Sequence, residues 1–244
     1  MKVTQVTLAL FILGMMVGCH SNPQEKHSTD PESYPDLKVV GAMKNVMWKG
    51  ELGSVIELDT ISDKKGLYGI GPVSYLRGEL LINDGISYVS KVTSDSTMHV
   101  EKTFLTSAPF FVYSHVSDWI EMDLPSSIKS IKDLEEFINN ETLENKRPFT
   151  FKLMGTVREA EIHVQNLPEG NKVSSPAEAH QGQINFIIQN EEVEIIGFFS
   201  RIHQGVFTHH DTFFHMHLIT RDEKKMGHLD RIEFNEMRLF LPKK

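Results

Sequence analysis

Five of the chain's 12 histidines lie in the 22 residues from His209 to Asp230, "HHDTFFHMHLITRDEKKMGHLD". The apolar neighbours in "TFFHMHLIT" predict a strand. Side chains two apart on a strand share a face, so His215 and His217 stand side by side. The charged run "RDEKKMG" predicts a turn, and His228 follows it on the returning strand. Three imidazoles brought together from two strands form the ligand set of an open zinc site, which leaves coordination positions for a substrate. Imidazole also binds nickel, copper and iron, so the pattern points to Zn2+ or another divalent transition metal. H-x-H alone is a weak signal. The third histidine on the return gives the pattern its weight. His209 and His210 precede the strand in a polar segment and read as solvated loop residues. His203 carries no assignment.

The rest of the sequence must supply the frame. "GELLINDGISYVSKV" predicts a hairpin turning at Asp84-Gly85. "APFFVYSHV", "FTFKLMGTVREAEIHVQNL", "INFIIQNEEVEIIGFFSRI" and "DRIEFNEMRLFL" read as further strands. In "SSIKSIKDLEEFINN", Ile128, Ile131, Leu134 and Phe137/Ile138 recur at helical spacing, with Ser126 or Ser127 available as a cap. The expected class is α+β and β-rich, with mixed sheets and a few helices. There is no internal repeat, no heptad pattern and no phosphate-binding glycine loop.

With 40% hydrophobic and 24% charged residues, the chain has the composition of a globular protein. A formal net charge of −8 argues against a nucleic-acid partner, because no basic face is available for phosphates. In "MKVTQVTLALFILGMMVGC" the apolar run Val6 to Val17 is too short for an ordinary membrane-spanning helix and has the length of a signal core. "MVGC" resembles a bacterial lipobox, which implies cleavage before Cys19 and lipidation of its sulfur. Cys19 is the sole cysteine, so a disulfide and a cysteine-ligated metal are excluded. Residues 19–37 are polar, with three prolines, and read as a flexible tether. The expected organisation is a signal peptide over 1–18, a lipid-anchored tether over 19–37 and one domain over 38–244. The expected location is the bacterial cell envelope, on the membrane through Cys19.

The combination of segments resembles the bacterial α-acetolactate decarboxylases. "LYGIGPVSYLRGELLINDGISYV" is similar to the family's N-terminal signature, "IIGFFS" to the strand before its metal segment, and "HMHLITRDEKKMGHLD" to that segment, with histidine spacings of two and eleven residues. The resemblance runs in order from about Lys44 to Glu233. It implies the family's α/β tandem fold, zinc held by His215, His217 and His228, and a glutamate beside the metal at Glu79. On its own, Glu79 reads as a solvated carboxylate at the start of a hairpin. The resemblance also suggests a homodimer, which no residue pattern here shows. Two positions depart from the family. Counting from Gly155, its arginine falls at His163. Arg158 lies in the same strand but out of register and, by strict alternation, on the opposite face. A second family glutamate, well beyond the last histidine, has no counterpart in register.

Acetolactate carries a carboxylate, a hydroxyl and a ketone on neighbouring carbons. Loss of CO2 leaves charge that a Lewis acid at the two oxygens stabilises. Glu79, or a water it holds, is the candidate for delivering a proton to carbon or for orienting the metal-bound oxygens. His163 replaces the arginine only if protonated; otherwise it is a further metal-side or proton-carrying group, or an ordinary strand histidine. Three functions follow: decarboxylation of 2-acetolactate to acetoin, the same reaction on another 2-hydroxy-3-oxo acid, or metal and ligand binding without turnover in a lipid-anchored protein.

Overall fold

Asp84 and Gly85 take φ of 46° and 78°, the two-residue turn whose twist matches that of the strands it joins. A Cβ on Gly85 would lie 2.1 Å from the Lys64 carbonyl oxygen, so only glycine fits there. The computed structural model describes residues 37–143 and 148–243. The expected signal peptide and lipidated cysteine, and all of the tether but Leu37, lie outside these residues.

The first half runs β1 (Lys38–Gly41), α1 (Met43–Lys49), β2 (Ile56–Glu57), β3 (Leu67–Pro72), β4 (Glu79–Asn83), β5 (Ile86–Ser94), β6 (Thr97–Lys102), β7 (Ser107–Ala108) and β8 (Phe110–His115). Six of these strands form an antiparallel sheet in the order β1-β8-β3-β4-β5-β6, while β2 and β7 pair separately. Then come β9 (Trp119–Asp123), α2 (Ile131–Glu141), β10 (Phe149–Val164), α3 (Pro176–Ala179), β11 (Ile184–Gln189), β12 (Glu192–Phe199), β13 (Phe214–Thr220) and β14 (Met226–Pro242). The second sheet has the order β11-β10-β12-β13-β14-β9, and β14 also pairs with β10. Strands β10, β12, β13 and β14 therefore close on themselves. The fold is a β-rich α+β arrangement with few helices.

Helix α2 begins later than the expected Ser126 or Ser127 cap. Ser130 accepts from the Asp133 backbone N–H, and the Asp133 carboxylate accepts from the Ser130 N–H. Only Ser130 has an acid three residues on, so only there is the reciprocal pair available. Such a cap contributes about 1 kcal/mol.

Closure of the barrel depends on irregularities in β10. Gly155 has φ 153°, and a Cβ there would meet the Glu236 carbonyl oxygen at 2.0 Å. The β10–β14 register shifts between Gly155 and Val157, between Val157 and Glu159, and between Glu161 and Ile162. These bulges change which residues face inward. Phe149, Phe151, Leu153 and Val157 fill the barrel core, and after the shifts so do Ala160, Ile162 and Val164. Each large apolar side chain buried this way contributes roughly 1.5–3 kcal/mol. A second core, with Tyr68, Ile70, Leu81, Ile196, Phe198 and Ile219 among its members, packs the barrel against the first sheet.

Candidate metal centre

Strand β13 is buried over its whole length. Phe214, Met216 and Leu218 point into the barrel, and Ile219 points into the core between the sheets. Alternation thus turns His215 and His217 toward the first sheet. Strand β14 returns with His228 directly opposite His217. Gly227 lets β14 lie close against β10, since a Cβ there would lie 2.4 Å from the His163 carbonyl oxygen.

The structure brings His215, His217 and His228 together. One ring nitrogen from each lies within 4.8 Å of the others. Nε2 of His215 and Nε2 of His217 are 3.2 Å apart, close to the ~3.3 Å between two nitrogens on one tetrahedral zinc with bonds of about 2.0–2.1 Å. The three residues are 3%, 0% and 8% exposed. Burial, reinforced by the neighbouring imidazoles, pushes all three below the usual histidine range, His217 to about 3. They are neutral near pH 7, which is the metal-binding form. Nδ1 of His215 and of His217 is buried without a well-formed hydrogen bond. The backbone carbonyls of Phe207 and Leu80 lie near enough to favour the charged forms of these two rings, as carbonyls beside ligating histidines do. Three converging neutral nitrogens in a water-poor site fit a divalent transition metal.

Glu79 opens β4, across from the barrel, and is 2% exposed. Its Oε2 lies 3.7 Å from His217 Nε2 and its Oε1 4.0 Å from His163 Nε2. Gln165 donates its backbone N–H to Oε1 at 3.3 Å. Burial raises the Glu79 carboxyl well above the usual range, despite that hydrogen bond. Burial thus corrects the reading of Glu79 as a solvated carboxylate: it is an interior acid beside the histidines. His163 is 5% exposed. Its Nδ1 lies 2.8 Å from both oxygens of Asp230, so the imidazole–carboxylate bond turns Nε2 toward Glu79.

Two further expectations change. His209 is not a solvated loop residue: its ring lies 4.8 Å from that of His228, and burial lowers its pKa to about 4. The loop before β13 folds back over the site, which its polar sequence did not indicate. His210 is exposed, as expected. The parity argument for Arg158 also fails, because the bulges turn both Arg158 and His163 away from the barrel core. Arg158 nonetheless stays at the surface, 2.9 Å from Glu233. His203 bonds to Ser200 Oγ and stacks on Phe207 within the loop. Three further residues, Asp230, Gln165 and His180, reach the site without having been anticipated. The i, i+2 spacing of His228 and Asp230 was the available signal for Asp230. Nothing local marks His180.

The family model described as alpha-acetolactate decarboxylase matches residues 41–243. This chain belongs to the alpha-acetolactate decarboxylase family. It is 23% identical over 252 residues to the alpha-acetolactate decarboxylase of Brevibacillus brevis, covering 97% of this chain and 85% of that protein. Its fold is that of the alpha-acetolactate decarboxylase of Bacillus subtilis strain 168, with a TM-score of 0.70, 21% identity, and coverage of 85% of this chain and 86% of the other. A Staphylococcus aureus protein of unknown function, similar to alpha-acetolactate decarboxylase, matches with a TM-score of 0.70 and 18% identity over 84% of each chain.

In this member of the decarboxylase family, Met43, Met47, Pro72, Leu76 and Phe110 line the same pocket as the histidines. Met43 and Met47 are one helical turn apart on α1, and α1 ends at Gly50 in the left-handed conformation. The pocket thus sets apolar groups beside a polar histidine wall.

Proposed function

We propose that this chain is a carboxy-lyase that converts 2-acetolactate to acetoin, with a divalent metal, Zn2+ in the first instance, held by His215, His217 and His228. The observation that carries the reading is the convergence of those three neutral nitrogens within 4.8 Å, with a buried glutamate 3.7 Å from one of them. The bound ion supplies Lewis acidity to an adjacent hydroxyl and ketone.

The protein's own groups do the rest. Burial raises the Glu79 carboxyl well above the usual range, which favours the acid form that must hand a proton to the substrate carbon. As the carbon–carboxylate bond breaks, its electron pair stays on that carbon and is taken up by the neighbouring ketone. Glu79 then protonates the carbon, and its carboxylate recovers a proton from solvent. The net change is one proton taken up and one CO2 released. His163 is oriented by Asp230 and faces Glu79. The apolar wall excludes water and seats the methyl groups.

The lining contains no arginine or lysine among the described residues. That favours one further reading, the same chemistry on another 2-hydroxy-3-oxo acid whose carboxylate is held differently. Assaying the metal-loaded protein with acetolactate tests both. Acetoin and CO2 in equal amounts, lost on chelation and restored by Zn2+, are expected; turnover only of a homologous acid would favour the second reading. We place the protein on the outer face of a membrane through Cys19. Cys19→Ala is expected to release it into the soluble fraction, and a wild-type protein already soluble after export would contradict the anchor.

A further inference from the structure

The pocket holds more metal donors than one ion uses. Strand register sets His163 opposite His228, and His228 opposite His217. Three imidazoles therefore form one row across β10, β14 and β13. His228 is the middle member: its ring centroid lies 4.7 Å from that of His163, 5.5 Å from His217 and 5.1 Å from His215. On the His163 side stands Asp230, with both oxygens 2.8 Å from His163 Nδ1 and one oxygen 4.0 Å from His228 Nε2. One donor atom each from His163, His228 and Asp230 lies within 4.8 Å of the others, as close as in the three-histidine set.

Charge points the same way. Asp230 stands against His163, and no lysine or arginine lines the pocket among the described residues. It must nevertheless admit a carboxylate substrate. An anion in a water-poor site needs a cation beside it. His163 is a metal-ligating side chain in contact with the Asp230 carboxylate.

We propose that His163, Asp230 and His228 bind a second divalent transition-metal ion at the same time as the three-histidine set binds the first. His228 is common to both donor sets. Two imidazoles and one carboxylate suit Zn2+, Mn2+ or Fe2+. The Asp230 side chain is 32% exposed, so the second ion sits on the solvent side, where it supplies the positive charge for the substrate carboxylate. The inference rests on the proposed metal centre.

Protein without a polyhistidine tag, stripped by chelator and titrated with Zn2+, gives the test, with bound metal counted by elemental analysis after dialysis. Two ions per chain are expected in the wild type, and one in His163→Ala and in the nearly isosteric Asp230→Asn. The His215→Ala/His217→Ala double variant is expected to keep one. Circular dichroism of each variant reports that it is folded. Wild-type saturation at one ion, unchanged in His163→Ala and Asp230→Asn, overturns the second site while leaving the first reading intact. A second ion that persists in both of those variants is an adventitious surface ion and also overturns it. No bound ion in the wild type overturns both readings.

Discussion

His217→Ala is expected to lower kcat/KM for acetolactate at least about a thousandfold, since Lewis-acid stabilisation contributes several kcal/mol and each 1.36 kcal/mol is a factor of ten. His217 is the right probe because it is fully buried, pairs across strands with His228, and lies 3.2 Å from His215. The same substitution has a second, opposite readout in the metal-free protein. Burial depresses the folded-state pKa of His217 to about 3 and of His209 to about 4, and lowers those of His215 and His228. For a group with a depressed folded pKa, stability is present above the unfolded value of about 6.5 and is lost as pH falls toward the folded one. Glu79, with a raised pKa, works against this above about 4.5. Four histidines outweigh one carboxyl, so the melting temperature should fall steadily as pH drops below about 6.5. In His217→Ala that acid slope should be shallower. An unchanged kcat/KM in metal-saturated His217→Ala would remove the three-histidine centre from the mechanism.

Glu79→Gln is expected to reduce kcat by about 10²–10⁴-fold, the usual contribution of a positioned acid or base. Glutamine keeps the volume and can still accept the Gln165 N–H that Glu79 accepts at 3.3 Å. It cannot give up a proton. KM should change much less than kcat, because the lost interaction belongs to the transition state. Stability should move the other way. A carboxyl whose folded pKa is raised costs stability as pH rises above its unfolded value of about 4.5. The metal-free Gln variant therefore lacks that loss and should melt higher than wild type at pH 7 to 8. A gain in stability with kcat within about threefold of wild type would show that Glu79 is a buried acid without the proton-delivery role.

Short-range chemistry was legible from the residues alone. The Asp84-Gly85 hairpin, the strand around "HMHLIT" and the return at Gly227-His228 are set by side-chain alternation and by φ angles that few residues tolerate. These are interactions within a few residues, so a linear reading captures them. Helix α2 was legible too, but its start was misplaced until the Ser130–Asp133 pair was recognised as the reciprocal one.

The tertiary structure decided what surrounds the histidines. Glu79 and His217 are 138 residues apart in the chain and meet because the first sheet packs on the barrel. His163 faces Glu79 because bulges in β10 shift the alternation that places Phe149, Phe151 and Leu153 inside the barrel. A bulge adds one residue to a strand without a distinctive sequence, so parity counted along the chain fails beyond it. His209 and His180 reach the site on loops, where no periodicity exists to read. The row His163–His228–His217 is a matter of register among three strands. Register is settled by which hydrophobic faces can be buried together, and that is a property of the assembled sheet rather than of any one strand.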